Sequence, residues 1–207
     1  MKDPSGQAVV HIVDDDAAIR DALTFLLQTH DIASRSWGDA ESFLADYRAS
    51  MRGCILLDVR MRAMTGPECF AVLRRRGCDM PVVFLTGHGD VPLAVDVLRA
   101  GATHFIEKPA QEELLLGAVR EALQRDAQTQ AERNQRTQVN ARVDQLSPRE
   151  REVMALVLEG KLNKNIADQL EISVRTVEVH RSNVFEKMGV RSAVELATLL
   201  GSRAVSR

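Results

Sequence analysis

The first 123 residues alternate repeatedly between a short apolar run and a stretch with helical spacing, and this alternation restricts the chain to very few folds. VVHIV at 9–13 reads as a buried strand, and residues 17–29 follow with Ile19, Leu23, Leu26 and Leu27 along one helical side. Ile32–Trp37 reads as a second strand, after which Gly38-Asp39 opens a helix carrying Phe43, Leu44 and Tyr47. Cys54–Leu57 is a third apolar run, stopping at Asp58, and Pro67–Arg76 suits the next helix. Pro81–Leu85 is a fourth strand; Val91–Ala100 is helical, with Pro92 tolerated in its first turn. His104–Glu107 is a short fifth strand, and a long helix begins near Gln111. Strands separated by helices pair in parallel with right-handed crossovers, so both faces of the sheet are covered and the sheet is doubly wound. Polar sites in such sheets gather at the carboxyl ends of the strands. The residues expected there are Asp14, Asp15, Asp58, Thr86 and Lys108.

The remainder of the chain has a different grammar. Residues 124–145 are strongly polar, yet they contain no glycine or proline. Ala118, Ala122, Ala127 and Ala131 could prolong the preceding helix, so the expectation is a semi-rigid helical connector. From Leu146 onward the pattern is wholly helical. Ser147-Pro148-Arg149-Glu150 is a capping box with proline at the first helical position, and Ser192–Glu195 reads as a second box after Gly189. The fold class expected is therefore α/β plus all-α: a five-stranded doubly wound parallel sheet over 8–123, a helical linker over 124–142, and a four-helix unit over 143–207. Charge follows this division. Residues 1–123 hold 13 Lys+Arg against 18 Asp+Glu, and residues 124–207 hold 14 against 11. An acidic front and a basic rear suit a cation site followed by a polyanion-binding module.

Adjacent acids at a strand end repel one another unless something neutralises them. Asp14 and Asp15, joined by Asp58, suit a hard divalent cation with oxygen ligands, and magnesium fits best because it keeps several waters and accepts phosphate oxygens. A carboxylate beside such a cation can attack a phosphoryl group as a nucleophile. Lys108 supplies a point charge for phosphoryl oxygens, and the Thr86 hydroxyl supplies a donor.

At the other end, Ile166, Ala167 and Leu170 give one helix a short apolar face, and Ile172-Ser173 makes a turn with Ser173 as N-cap. In the following helix Val177, Val184 and Met188 form one buried stripe. The opposite side presents Arg175, Glu178, Val179 and Ser182, flanked by Thr176 and Arg181. A helix so arranged can enter a major groove, and Lys161 and Lys164, just ahead of the first helix, suit contacts to the phosphate backbone. Glu171 stands where many helix-turn-helix proteins place glycine, so the backbone need not take a left-handed conformation there.

VDDD, LLDVRM, LTGHGD and FIEKP together resemble the receiver domain of two-component response regulators, most closely the FixJ branch of the FixJ/NarL family. The segment LSPREREVMALVLEGKLNKNIADQLEISVRTVEVHRSNVFEKM resembles the LuxR-type DNA-binding domain. These resemblances imply a flavodoxin-like receiver in which Asp58 is the phosphoacceptor, and Asp14, Asp15, Asp58 and the Arg60 carbonyl hold Mg2+ or Mn2+. Thr86 and Lys108 would contact the phosphoryl group, and Thr86 with Phe105 would form the conformational switch. Val174–Met188 would be the recognition helix and Ser192–Leu200 a dimerising helix. The implied partners are a sensor histidine kinase, promoter DNA, a second copy of the chain when phosphorylated, and RNA polymerase. Two positions depart from the pattern: Arg62 replaces the usual proline after Met61, and Ala110 replaces an apolar aromatic after Lys108-Pro109.

A competing reading is a magnesium-dependent phosphohydrolase with an aspartyl nucleophile. Such enzymes commonly carry a second acid two residues after the nucleophile, whereas Arg60 stands there. Cys54, Cys69 and Cys78 lack CxxC spacing and argue against a disulfide framework or zinc site. No apolar run approaches the roughly 18 residues that cross a bilayer. MKDPSGQ lacks the features of a secretory signal, so a cytoplasmic protein that does not enter membranes is expected.

Overall fold

The computed structural model describes residues 7–87 and 91–201. In chain order the first unit contains β1 (Val9–Val13), α1 (Ala17–Thr29), β2 (Ser34–Trp37), α2 (Ala40–Asp46), β3 (Gly53–Asp58), α3 (Gly66–Arg75), β4 (Val82–Thr86), α4 (Val91–Arg99) and β5 (His104–Glu107). Then come α5 (Glu112–Asp144), α6 (Pro148–Leu158), α7 (Asn163–Leu170), α8 (Val174–Met188) and α9 (Ala193–Gly201). Two compact units divide within α5, at Gln130/Ala131.

The sheet has the order β2-β1-β3-β4-β5, and every described pairing is parallel. Strand β3 is central and buried along its whole length, as expected when helices cover both faces. Side-chain alternation then sorts the core into two layers. Val10, Ile12, Cys54 and Leu56 pack with Leu23, Leu27, Leu116 and Val119 on the α1/α5 face. Val13, Ile55, Leu57 and Phe84 pack with Phe43, Phe70, Leu73 and Val97 on the opposite face. The second strand is shorter than the sequence suggested: Ile32 and Ala33 lie before β2. Ile32 is instead drawn against the α1/α5 core, its N–H bonded to the Leu27 carbonyl that ends α1.

Helix starts follow the caps. Asp16 accepts from Ala18 N–H at the start of α1, Asp39 from Ser42 N–H at the start of α2, and Thr65 with Glu68 forms a capping box on α3. The first part of α5 is held to the first unit by a half-exposed His30–Glu112 contact and by the ion pair of half-buried Arg52 with buried Asp126 at 2.9 Å.

In the second unit, Val139, Val153, Leu156, Ile166, Val177, Val184, Met188 and Leu196 form one core. The α5 residues from Ala131 onward therefore serve as an added helix of this unit. The Ser147/Glu150 capping box is present in full. At α9 only half of the expected box forms: Ser192 accepts from Glu195 N–H, but the Glu195 carboxylate accepts from Arg191 N–H rather than from Ser192. Glu171 adopts a conformation that the sequence did not require. It is left-handed, with φ 54° and ψ 43°. Its N–H and that of Ile172 bond back to Asp168 and Ala167 carbonyls, and the reversal returns Ile172 to the core. Satisfying those carbonyls outweighs a left-handed cost of roughly 1–2 kcal/mol for a non-glycine residue.

Candidate functional site

The parallel register brings four strand ends level. Val13 pairs with Leu57, Asp58 with Leu85, and Thr86 with Glu107, so Asp14, Asp58, Thr86 and Lys108 emerge on one edge of the sheet. Asp14 and Thr86 are buried, Asp58 is 6% exposed, and Asp15 and Lys108 are half-buried. Each of Asp14, Asp15 and Asp58 offers a carboxylate oxygen, all within 4.8 Å of one another.

Hydrogen bonds orient these groups. Asp58 Oδ2 accepts from Arg60 N–H at 2.9 Å, and Asp58 Oδ1 accepts from Lys108 Nζ at 2.5 Å. Asp14 Oδ1 accepts from Asp16 N–H at 2.9 Å, while Asp14 Oδ2 accepts from Lys108 Nζ at 2.6 Å. Burial pushes the Asp58 carboxyl up from its ordinary value, more than Lys108 pulls it down, and the charge of Asp14 pushes the same way. Burial disfavours the Lys108 ammonium, but its bonds to Asp14 and Asp58 outweigh that and hold its pKa above the ordinary range. The pocket is thus an oxygen-rich anionic cup with one ammonium across it. Hard oxygen donors at this spacing fit a divalent cation of the magnesium type, and among the described residues no soft ligand joins the group.

Phe105 lies on β5 opposite Phe84, ring centres 6.5 Å apart, and is half-buried against the α2/α3/α4 core. Arg62 is an exposed side chain whose Nε stands 3.6 Å from Asp15 Oδ2. Ala110 packs on the α1/α5 core. Of the LTGHGD motif, His88, Gly89 and Asp90 lie outside the described residues.

Two contributors carry no obvious sequence signal. Arg20 Nη1 donates to the Asp14 backbone carbonyl at 2.8 Å, fixing the strand end from helix α1. A Cβ at Gly66 would stand 2.2 Å from the Asp58 carbonyl oxygen, so the start of α3 is pressed against the β3 terminus. Thr65-Gly66-Pro67 reads locally as a helix start, and only the long-range packing shows why its middle residue lacks a side chain.

In the second unit α8 buries Val177, Val184 and Met188 and exposes Arg175, Glu178, Val179 and Ser182, with Thr176 and Arg181 at the margin. Ser173 accepts from Thr176 N–H at 3.0 Å and caps the helix. Arg181 is more committed than its sequence position suggested: Nη1 donates to Asn163 Oδ1 at 2.6 Å, and the guanidinium lies 5.4 Å from the Phe185 ring centre. Lys161 precedes α7 and pairs with Glu159 at 3.2 Å, whereas Lys164 lies inside the first turn of α7 rather than ahead of it. Leu162 takes the capping position without a side-chain hydrogen bond, and the helix starts at Asn163, one residue before Lys164. Arg142, near the end of α5, donates to the Met188 carbonyl at 2.8 Å and so closes the C-terminal end of α8.

A doubly wound sheet with this strand-end constellation, followed by a capped helix-turn-helix, defines a receiver joined to a DNA-binding unit. Residues 10–120 match the response regulator receiver domain, and residues 144–200 match the bacterial regulatory proteins of the luxR family. The chain belongs to the response regulators of the FixJ/NarL type, with a receiver and a LuxR-type DNA-binding domain. It is 47% identical to the C4-dicarboxylate transport transcriptional regulatory protein DctR of Rhodobacter capsulatus, over 92% of this chain and 98% of the relative. It is 43% identical to the transcriptional regulatory protein FixJ of Azorhizobium caulinodans, over 92% of this chain and 90% of the relative. Among solved structures, the response regulator StyR superposes with a TM-score of 0.87 at 36% identity, covering 95% of this chain and 99% of that one. Full-length FixJ from B. japonicum gives 0.58 at 36% identity, covering 97% and 99%. These relatives are regulators, and nothing in them supports the phosphohydrolase alternative. No described helix is long and apolar enough to cross a membrane.

Proposed function

We propose that this regulator is switched by phosphorylation of Asp58 by a sensor histidine kinase, and that the switch controls dimerisation and sequence-specific DNA binding. The observation that carries the proposal is the Lys108 ammonium held on both Asp14 and Asp58 inside a cup of three carboxylates. Asp14, Asp15, Asp58 and the Arg60 carbonyl would hold Mg2+ or Mn2+, which when bound supplies charge neutralisation for the acids and for incoming phosphoryl oxygens. An Asp58 carboxylate oxygen attacks the phosphorus of a phosphohistidine. The P–N bond breaks, its electron pair passes to the imidazole nitrogen, and an acyl phosphate remains on Asp58. Lys108, released from Asp58 as its charge is capped, pairs with the phosphoryl oxygens, and the Thr86 hydroxyl donates to them. Arg60 is no general acid or base, so the acyl phosphate is lost only by slow hydrolysis and the protein acts stoichiometrically.

Thr86 and Phe105 sit on the adjacent strands β4 and β5, so movement of one repacks the other and biases α4. Helix α4 exposes Val91, Val95 and Leu98 along one side, an apolar stripe suited to a second copy. In the second unit, the side of α8 bearing Arg175, Thr176, Glu178, Val179 and Ser182 meets base edges, with Lys161, Lys164 and Arg181 near phosphates. The receiver is assigned to 8–123 and the DNA-binding domain to 143–207, with 124–142 as the helical connection, whose part from Ala131 packs with the second unit; RNA polymerase is a further partner at the promoter. A chain with these partners works in the cytoplasm.

The test uses full-length protein with MgCl2 and isotopically labelled acetyl phosphate. Up to one equivalent of hydroxylamine-labile label is expected on the wild type and none on Asp58→Asn. Label persisting on Asp58→Asn would sink the assignment. For the DNA step, duplexes selected from a random pool should bind more tightly than random duplex, with steep salt dependence; equal binding to both would leave an interaction module instead.

A further inference from the structure

Besides Lys108, the pocket has a second cation of its own, at Asp15. Arg62 replaces the proline usual at this place in the family, and its Nε stands 3.6 Å from Asp15 Oδ2. Asp15 is the most exposed of the three acids, with 27% of its side chain accessible, and the Arg62 side chain is 92% exposed. The geometry points to Arg62 as a built-in competitor for Asp15, which a divalent cation must displace in order to bind. This inference rests on the reading that Asp14, Asp15 and Asp58 hold the cation.

Two observations support it. Lys108 already satisfies Asp14 and Asp58, so Asp15 is the acid left for a second counter-charge, and among the described residues Arg62 is the cationic side chain that reaches it. Arg62 lies in the loop that connects β3 to α3, whose ends are pinned: Val59 N–H bonds to the Leu85 carbonyl, and Gly66 N–H to the Val59 carbonyl. Its backbone is thereby held beside the pocket while its side chain stays in solvent. A solvated guanidinium is readily displaced, so its effect is a tuning of affinity rather than a block. Because Arg cannot lose its proton, the competition persists at every working pH. A proline at this position would leave Asp15 without that counter-charge.

The expected effect follows from removing one positive charge a few ångströms from a divalent ion in a solvent-screened setting. Removing it should tighten binding about two- to fivefold. The experiment is isothermal titration calorimetry of unphosphorylated full-length protein with MgCl2, and separately MnCl2, at constant ionic strength. Arg62→Ala and Arg62→Gln should bind two- to fivefold more tightly than the wild type, and Arg62→Lys should stay close to it. Arg75→Ala, an exposed arginine of α3 remote from the acids, should leave Kd unchanged. Raising ionic strength should narrow the gap between wild type and Arg62→Ala. Equal affinities for wild type and Arg62→Ala, or equal tightening by Arg75→Ala, overturn the inference. Asp58→Asn should weaken binding in the same titration. If it leaves the titration unchanged, the ion sits elsewhere and the pocket reading falls along with this one.

Discussion

Gly66→Ala is the substitution that most directly joins the fold to the chemistry. The added methyl would stand 2.2 Å from the Asp58 carbonyl oxygen, 3.1 Å from its carbonyl carbon and 3.2 Å from Phe84 Cε1. Ordinary contact with a backbone oxygen begins about 1 Å further out, so β3 and α3 must separate by roughly that distance. Neither side can yield cheaply: Phe84 is fully buried, and the oxygen belongs to the central strand. Overpacking of this kind costs about 1–3 kcal/mol. The displaced residue is Asp58 itself, and a shift near 1 Å lowers a positioned reaction by about a hundredfold. Differential scanning calorimetry should show a lower transition for the receiver unit, and labelling from acetyl phosphate should slow by one to two orders of magnitude even well below that transition. Gly117→Ala is the control. Gly117 lies inside α5 with open space around it, so the change should be neutral or stabilise by up to about 1 kcal/mol. The reasoning would be falsified if Gly66→Ala melted and labelled like the wild type.

Other expectations concern the second unit. Lys187 at 2.7 Å, with help from the Ser147 N–H, holds the Glu150 carboxyl at about 2, against an ordinary 4.5. A depressed folded pKa means stability that is present above pH 4.5 and lost as pH falls toward about 2. Because Lys187 is 37% exposed, solvent screening reduces the effect, and Glu150→Gln should lose only about 1 kcal/mol at neutral pH. Urea titrations at pH 7 and pH 3 should show that difference shrinking; a constant difference would refute the linkage. Arg142→Ala removes a donor from the C-terminal end of α8 and should destabilise this unit by about 0.5–1 kcal/mol, with Arg142→Lys recovering part of it in the same titration. Val179→Ala should alter which duplexes are selected from a random pool. Arg181→Ala should weaken all duplexes alike and also lower stability through its lost Asn163 bond; unchanged melting would show that the bond contributes nothing.

The sequence alone determined a good deal of this protein. The alternating apolar runs specified a parallel sheet because crossover helices leave buried strands no other pairing, and strand-end acids stand out because charge there needs a reason. Capping boxes and the Val177–Val184–Met188 stripe marked α6 and α8 for the same reason: caps and periodicity are local properties. Tertiary structure decided what depends on contacts between distant residues. Arg20 on the Asp14 carbonyl, Gly66 against Asp58, Arg142 on the Met188 carbonyl and Arg181 on Asn163 each join separate elements, so no local pattern announces them. Glu171 shows the converse. Its local preference opposes a left-handed backbone, yet closing α7 and burying Ile172 yield more than that conformation costs. Asp58 was legible as an acid at a strand end; its raised pKa and its ammonium partner exist only because β1, β3 and β5 finish level.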